Sequence, residues 1–451
     1  MNKFLVGCLV IGSWCLTGTA LAGVSSELPH VTKKMTHAAF WIERTPEPDK
    51  PILSPEQLSL LNRQALSLEP SAVDVAVLAE TLPGSELRRR IQDDLKPFRN
   101  RSFYTWDPSG ENVLFGTIEL ELLKERMRLK EIPEKIPVRF GLVVRDCDLR
   151  SLPVGEGIFE EKDDREFDLA QQTRLSVATP VAVLWESEGG EWFYLVSSLL
   201  EGWVAKGSVG FFPTQAALTA YLDRPFVVVT VPLVKVEGVP GGTALPMGTI
   251  LHGYQKRDAL YFVEYPVWGK GGTLSFRTVT VPASSGIHEG FLPFTKANVL
   301  RQALQLEGMP YGWGGLNGGY DCSGFLHDLF LTMGVLLPRN SGPQSKAGRI
   351  LAEFKPETEK RIKQNLLASA PPVTTFIHLD GHIMLYLGKV NKRYYVLHAT
   401  SGYQDKRLFR NTNYRLMSVV VSDLSLGEGG RKGALLKRML SVNALTDERR
   451  P

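Results

Sequence analysis

The sequence predicts a multidomain α+β chain: a helical and irregular N-terminal region, two all-β regions and a C-terminal α+β region. Its length of 451 residues exceeds that of one ordinary domain. From about residue 135, short apolar runs alternate with Gly, Asn and Asp, which is typical of small antiparallel barrels. From about residue 293, helical spacing alternates with strand-like runs, which indicates an α+β domain.

The first 22 residues have the pattern of a secretory signal peptide. Lys3 precedes an apolar run, and Ala20-Leu21-Ala22 forms a small-residue cleavage site. We therefore predict an exported protein of the periplasm or cell envelope. Leu5-Val6-Gly7-Cys8 imitates a lipoprotein cleavage box, so lipid anchoring is an alternative, although the apolar run before it is short. No later segment has the ~18 uninterrupted apolar residues of a membrane span.

The charge of the chain argues against nucleic-acid binding, and its few cysteines leave two candidates for a reactive thiol. The net charge is +4 and only 22% of residues are charged, so no strong field favours nucleic acid as a partner. Two of the four cysteines lie in the signal segment, which leaves Cys147 and Cys322 in the mature chain. A disulfide between these two is the alternative to a free, reactive Cys322.

The N-terminal region contains a good helix start. Ser54 can cap the helix, Pro55 fits its first turn, and Gln57 can reach back to the cap. The C-terminal end is rich in arginine and lysine, and we expect it to be a solvated extension. The predicted boundaries are a signal peptide (1–22), an N-terminal segment (23–130), a first barrel (131–215), a second barrel (216–290), a catalytic domain (291–428) and a basic tail (429–451).

The most informative segment runs from Tyr311 to Gly324, where a glycine-rich loop leads to a cysteine at the start of a helix. Apolar residues at 325, 326, 329, 330 and 333 have helical spacing, and Gly334 is a natural end. Cys322 then lies in the first turn, where unpaired amides and the helix dipole favour a thiolate. The dipole contributes at most about 2 kcal/mol, so a neighbouring imidazole must complete an ion pair.

Two strand-like runs after this helix carry histidines. His382 opens the first run and is the predicted base, and His398 on the second run is predicted to orient it. His378 is placed outside the site by a predicted turn at 379–381. His327 lies five residues after the cysteine on the same helix and points away from the thiol.

Five motifs in this order resemble the NlpC-type cell-wall peptidases, over about residues 295–425: Tyr311-x-Trp313-Gly-Gly, Asp321-Cys322-Ser323-Gly324-Phe325, Pro338-Arg339-Asn340-Ser341, Gly381-His382-x3-Tyr386-Leu-Gly388 and His398-Ala399. The resemblance implies a papain-like catalytic domain with a Cys-His-His triad. The upstream part is similar to a subgroup with an N-terminal stabilising segment and two bacterial SH3-like barrels. That weaker likeness rests on residues 140–144, 149–153, 167–171 and 202–204.

The resemblance implies a monomeric endopeptidase without cofactor or metal, which cuts peptidoglycan stem peptides between γ-D-glutamate and an L-diamino acid. The subgroup's substrate has a free N-terminal L-alanine. By motif, Asp321, Ser323 and Ser341 would line the pocket for that amine. Tyr311 would supply a hydroxyl to the oxyanion site, and Trp313 would form a wall. Relatives also use an aromatic or acidic group from the first barrel; in this sequence Leu199-Leu200 precede Gly202-Trp203, where a tyrosine is expected.

Three alternatives remain at the level of sequence. The first is a wall-binding protein with weak, general or no hydrolase activity. The second is a zinc site made of Cys322, His382 and His398, although no CxxC or HExxH spacing supports it. The third is acyl transfer by the same thiol chemistry.

Overall fold

A computed structural model describes residues 25–236, 238–239, 243–407 and 410–446. The predicted signal peptide, including Cys8 and Cys15, and the last residues of the basic tail lie outside the described residues. No helix in the described part of the chain has both the length and the apolar character to cross a bilayer.

The helices are, in chain order, α1 (Ala38–Ile42), α2 (Pro55–Leu68), α3 (Gly84–Leu95), α4 (Thr117–Arg126), α5 (Gln215–Leu222), α6 (Lys296–Gln305), α7 (Cys322–Leu331), α8 (Ser341–Gln344), α9 (Lys360–Ser369) and α10 (Leu435–Arg438). The strands of the N-terminal half are β1 (Thr81–Pro83), β2 (Phe103–Trp106), β3 (Asn112–Phe115), β4 (Lys135–Pro137), β5 (Arg139–Val143), β6 (Cys147–Arg150), β7 (Gln171–Leu175), β8 (Pro180–Glu186), β9 (Trp192–Ser197), β10 (Glu201–Ala205) and β11 (Val209–Phe211). Those of the C-terminal half are β12 (Phe226–Val229), β13 (Leu233–Val236), β14 (Thr243–Pro246), β15 (Ile250–His252), β16 (Tyr254–Arg257), β17 (Leu260–Trp268), β18 (Leu274–Pro282), β19 (Ile287–Glu289), β20 (Arg349–Glu353), β21 (Thr375–Leu379), β22 (His382–Val390), β23 (Arg393–Arg407), β24 (Arg410–Asp423) and β25 (Ser441–Ala444).

The N-terminal segment contributes to two different cores. Helix α2 begins with the predicted capping box, in which Gln57 N–H donates to Ser54 Oγ and Ser54 N–H donates to the Gln57 side chain. Trp41 and Leu61 are buried in the core of the C-terminal domain. Beyond residue 75, Leu87 and its neighbours instead join the core of the first barrel. Besides its helices, this segment contains the β2–β3 hairpin.

The first barrel is one antiparallel sheet in the order β11-β5-β8-β9-β10-β6-β7, with Trp203 fully buried inside. The long β6–β7 connection is held by a buried ion pair, in which Arg150 Nη1 lies 2.8 Å from Asp168 Oδ2. The other oxygen of Asp168 accepts the backbone N–H groups of Ile158 and Ala170. These contacts fix the position of Phe167, the residue before Asp168.

The second all-β region consists of three small antiparallel sheets in the orders β15-β12-β19, β13-β14 and β16-β17-β18. Val263 and Tyr265 of β17 are buried in its core, and Tyr261 is buried beside them.

The C-terminal domain is built on an antiparallel six-stranded sheet in the order β20-β25-β21-β22-β23-β24. Helix α7 packs on this sheet with Phe325, Leu326 and Phe330 fully buried. The two histidine-bearing runs predicted from sequence are the neighbouring strands β22 and β23.

The expectation that residues 429–451 form a solvated basic tail is wrong for its described part. β25 pairs with β20 on one side and β21 on the other, so it is an interior strand of the catalytic sheet. Leu435, Leu436 and Met439 are buried in the same core. The basic residues of the segment predicted exposure to solvent, but the four consecutive residues Ser441–Ala444 are buried.

This position makes the C-terminal segment essential for folding. Deletion of residues 435–451 removes an interior strand and its hydrogen bonds, so we expect an insoluble or unfolded catalytic domain. Asn443→Ala should lower the free energy of unfolding by about 1–3 kcal/mol, because buried Asn443 donates to the carbonyls of Gln344 and Ala347. Urea unfolding of wild type, Asn443→Ala and the exposed-site control Arg431→Ala measures this. If the chain truncated at residue 434 were as stable as wild type, the C-terminal segment would be a solvated tail after all.

Candidate active site

Helix α7 presents the cysteine at its first residue. Asp321 is the N-cap, and its Oδ1 accepts the Gly324 N–H at 2.7 Å. Cys322 follows, only 8% exposed, with its Sγ 4.0 Å from the carbonyl oxygen of Gly381. Gly381 immediately precedes His382, so the thiol lies against the start of the strand that carries the predicted base.

Three polar side chains form a chain of hydrogen bonds across β22, β23 and β24. His382 Nε2 lies 2.8 Å from His398 Nδ1. His398 Nε2 lies 3.0 Å from Ser422 Oγ, and both His398 and Ser422 are buried. The structure thus brings the two predicted histidines together and adds a serine that the sequence analysis did not identify.

Burial favours the neutral forms of the thiol and both imidazoles. Burial, with a smaller effect of the Asp321 charge, raises the pKa of Cys322 to about 12. Burial and then the charge of Arg438 lower the pKa of His382 to about 4. The pKa of His398 also lies well below its usual value, through burial and the charges of His382 and Arg438. No hydrogen bond joins the described thiol and the His382 ring, so the ion pair expected from sequence is not the resting form that this geometry favours.

The predicted amine-binding residue Asp321 is engaged by a buried arginine. Arg339 donates to both carboxylate oxygens, at 3.0 Å from Nη1 and 2.6 Å from Nη2. Burial acts to raise the pKa of Asp321, but the charge and hydrogen bonds of Arg339 outweigh it and hold that pKa below the usual value. Arg339 Nη1 also donates to Ser323 Oγ at 3.1 Å. Asp321 and Ser323 therefore belong to one buried polar cluster.

The glycine-rich loop is fixed between this cluster and the first barrel. Asp321 Oδ2 accepts the Gly314 N–H, and the Gly314 carbonyl accepts from Gln171 Nε2 of β7. Gly314 has φ +56°, and a Cβ there would lie 2.6 Å from Gln171 Cγ. The close approach of the barrel thus explains the glycine. Arg339 Nε donates to Thr173 Oγ1 of the same strand.

A cleft of about 500 Å³ contains most of the predicted catalytic groups, with His382, His398, Tyr311 and Trp313 in its walls. The first barrel contributes Phe167, whose ring centroid lies 5.8 Å from that of Trp313. This contact could not be predicted from the sequence, because a single Phe in a loop carries no periodic signal.

The other predicted site residues lie away from the cleft walls. Asp321 lines a second cavity of about 260 Å³, together with His327, which is hydrogen-bonded to Asp328. Ser323 and Ser341 line neither cavity. Their proposed contact with the substrate amine stays a prediction. Both mature cysteines are free, so the disulfide alternative does not occur in this structure.

A profile of the NlpC/P60 family matches residues 308–415, which include Cys322, His382 and His398. This stretch is an NlpC/P60 domain. A profile of an SH3 domain of the SH3b1 type matches residues 157–205, inside the first barrel. The SH3 domain therefore precedes the NlpC/P60 domain, as predicted. Ser422 and Arg438 lie beyond the matched part of the NlpC/P60 domain.

Curated relatives match the chain over limited stretches. A γ-D-glutamyl-L-lysine dipeptidyl-peptidase of Bacillus cereus is 52% identical over 90 residues, which is 19% of this chain and 23% of the relative. The enzyme of the same name from Bacillus subtilis is 41% identical over 56 residues, 12% of this chain and 19% of the relative. The peptidoglycan endopeptidase RipB of Mycobacterium tuberculosis is 34% identical over 139 residues, 27% of this chain and 53% of the relative. The chain thus matches about a fifth of the two Bacillus enzymes and about half of the mycobacterial one.

A solved structure of an NlpC/P60 endopeptidase from Photobacterium damselae subsp. piscicida resembles the whole arrangement. It superposes with a TM-score of 0.75 and 20% identity, over 92% of this chain and 98% of that one. The mixed architecture with SH3-like and NlpC/P60 domains is therefore a known fold.

The neutral resting thiol leads to a prediction for alkylation. The thiolate is the reactive species, and the pKa of Cys322 is raised to about 12. In a Cys147→Ser background, the rate of iodoacetamide labelling of Cys322 should rise about tenfold per pH unit from pH 6 to 9, as the thiolate fraction does. Stopped-flow or mass-spectrometric labelling measures it. A rate that is already maximal and constant between pH 5 and 8 would instead show a preformed ion pair.

Proposed function

We propose that this protein is a cysteine peptidase that hydrolyses peptidoglycan stem peptides outside the cytoplasm. The observation that carries the proposal is that the thiol of Cys322, at the start of α7, lies against Gly381, the residue before His382. The His382 imidazole in turn pairs with His398 at 2.8 Å in the wall of a cleft of the NlpC/P60 domain. The names of the curated relatives support the substrate class, and the SH3 domain supports a cell-wall location.

The geometry supports general-base activation of the thiol. Nε2 of His382 is occupied by His398, which leaves Nδ1 to take the proton from Cys322 Sγ. Sγ then attacks the carbonyl carbon of the scissile amide. The imidazolium returns its proton to the leaving amine as the C–N bond breaks, and an acyl-thioester remains. Water, deprotonated by the same imidazole, hydrolyses the thioester and regenerates the thiol.

The serine at the end of the hydrogen-bond chain can accept the proton that this mechanism places on His398 Nε2. A base at Nδ1 requires that neutral His382 carry its proton on Nε2 and donate it to His398 Nδ1. His398 must then carry its own proton on Nε2 and donate it to Ser422 Oγ, at 3.0 Å. Ser422 is thereby a positioning residue that acts through His398.

Groups on the acyl side of the thiol can stabilise the oxyanion and hold the substrate. Tyr311 lies in the cleft wall, and burial raises its pKa, so its hydroxyl stays protonated and able to donate. The first N–H groups of α7 have no acceptor within the helix, and those that Asp321 does not bind can donate to the same anion. Trp313 and Phe167 form the aromatic wall beside them.

The finer proposal is cleavage between γ-D-glutamate and an L-diamino acid in peptides with a free N-terminal L-alanine. Two curated relatives carry names for γ-D-glutamyl-L-lysine dipeptidyl-peptidases, which supports the bond. The carboxylate of Asp321 accepts bonds from Arg339, Gly314 and Gly324. A substrate ammonium would therefore add to an already neutralised carboxylate, and we propose that Asp321 contributes to amine binding only as part of that cluster.

Defined peptides test this function. Wild type should release the diamino acid from L-Ala-γ-D-Glu-diamino acid peptides, followed by mass spectrometry, and should act much less on N-acetylated analogues. Cys322→Ala should lower turnover by several orders of magnitude with an unchanged fold, and His382→Ala nearly as much. Cys147→Ser is the matched control and should stay within a few-fold of wild type. More than a tenth of wild-type turnover in Cys322→Ala would contradict cysteine catalysis.

The tautomer argument yields a separate prediction. Ser422→Ala removes the acceptor for His398 Nε2, so the tautomer pair that the mechanism needs loses one hydrogen bond. We expect kcat to fall about tenfold with KM unchanged, since one hydrogen bond of about 1–1.5 kcal/mol is lost. Ser418→Ala is the control on the same strand, because its buried hydroxyl donates to the Met309 carbonyl and not to the histidines. Equal losses of kcat in the two variants would assign Ser422 a structural role only.

A further inference from the structure

A cavity of about 260 Å³ lies beside α7, where three parts of the chain meet, and we call it the junction cavity. The first barrel contributes wall residues between 173 and 199, the second all-β region contributes 247–250, and the C-terminal domain contributes residues between 315 and 339. His382 and His398 line the catalytic cleft instead, so the junction cavity is a separate space.

The three parts of the chain touch each other at the edges of the junction cavity. Gly248, in the turn between β14 and β15, has φ +84°, and a Cβ there would lie 3.0 Å from the Asp328 carbonyl oxygen of α7. A Cβ on Gly315 would lie 3.0 Å from Arg174 Cβ of β7. These close contacts fix the walls in the free protein, so little ordering is needed when a molecule enters.

The charged side chains in the wall of the junction cavity already have partners. Three pairs account for them: Arg339 with Asp321, His327 with Asp328, and Arg174 with Asp146. The closest polar atoms of these pairs are 2.6, 2.9 and 3.9 Å apart, respectively. An ionic ligand would have to compete with a pair that is already formed, so the cavity favours an uncharged molecule.

The Tyr320 hydroxyl is the polar group in this wall that needs a partner. Tyr320 is only 3% exposed, and its hydroxyl forms no hydrogen bond within the described residues. Burial raises the pKa of Tyr320, so the hydroxyl keeps its proton and can donate it. A buried hydroxyl without a partner costs free energy, and a ligand with one hydrogen-bonding group would remove that cost.

The rest of the wall is largely apolar and sets the size of the ligand. Side chains of all three parts of the chain contribute to it: Val177, Ala178, Met247, Ile250, Leu331 and Leu336. An apolar cavity of about 150 Å³ is large enough for benzene. A cavity of about 260 Å³ therefore accommodates a single aromatic ring with a substituent.

We propose that the junction cavity binds a small, uncharged and largely apolar molecule that carries one hydrogen-bonding group for Tyr320. Such a ligand contacts the first barrel, the second all-β region and α7 at once. It would stabilise their docked arrangement, because it binds only when all three walls are in place. The inference does not depend on the proposed function.

Three probes of similar size test the site: phenol, toluene and benzoate. Phenol is uncharged and has a hydroxyl, toluene lacks the hydrogen-bonding group, and benzoate is charged. Isothermal titration calorimetry with the full-length protein should show that phenol binds about five- to tenfold more tightly than toluene, as one buried hydrogen bond provides. Benzoate should bind more weakly than either. Phenol should also raise Tm as its concentration increases.

Substitutions in the wall assign the binding to the junction cavity. Tyr320→Phe should bind phenol no more tightly than toluene, and should bind toluene as wild type does. Tyr394→Phe is the matched control and should keep the wild-type preference, because the Tyr394 hydroxyl has its own partner in the Gln364 carbonyl at 2.9 Å. Leu331→Trp fills the cavity from α7 and Ile250→Trp fills it from β15, and each should abolish binding of both uncharged probes.

Equal wild-type affinities for phenol and toluene, or unchanged phenol binding in both filled variants, would overturn the inference. Binding of benzoate as tight as that of phenol would also overturn it. Absence of binding by either uncharged probe would show that the cavity holds water only, with the same consequence. If neither filled variant folds, the three probes on wild type and Tyr320→Phe still decide. Peptide hydrolysis is measured separately, so failure of this inference leaves the proposed function standing.

Discussion

The buried ion pair between Asp321 and Arg339 is the constraint on which the active site depends. One carboxylate caps the catalytic helix at Gly324, holds the glycine-rich loop at Gly314 and neutralises Arg339. Arg339 in turn bonds to Thr173 of the first barrel. Loss of one partner would leave a buried unpaired charge, at a cost of about 3–5 kcal/mol. Because the pKa of Asp321 is held below its usual value, this stabilisation is present above the unfolded-state pKa and is lost as pH falls through the folded-state pKa.

The first barrel therefore helps to build the candidate active site. Gln171 and Thr173 of β7 bond to the glycine-rich loop and to Arg339. Phe167, in the loop before β7, packs against Trp313 of the cleft wall. Glu166 pairs with Arg415 of β24, which lines the same cleft. Separating the barrel from the C-terminal domain would remove these four contacts.

The parts of the site that the sequence predicted are those encoded by contiguous residues. A helix start, a glycine-rich loop and two strands that each contain a histidine are local patterns, so Cys322, His382 and His398 could be identified. Ser422 could not, because its place beside His398 follows from strand order, and strand order is set by packing between distant segments. The tail was misjudged for the same reason: six basic residues give it a charged composition, whereas the pairing of β25 depends on strands about 65 to 95 residues earlier.

The charges in the cleft also suggest how the resting and reacting states differ. In the free protein, after burial, the charges of Arg438 and His378 lower the pKa of His382, and only Asp321 acts in the opposite direction. The imidazole is then a neutral acceptor, ready for a proton but a weak base. Under the proposed mechanism, proton transfer from Cys322 to His382 accompanies attack on the scissile carbonyl, because neither group favours its charged form in the free protein.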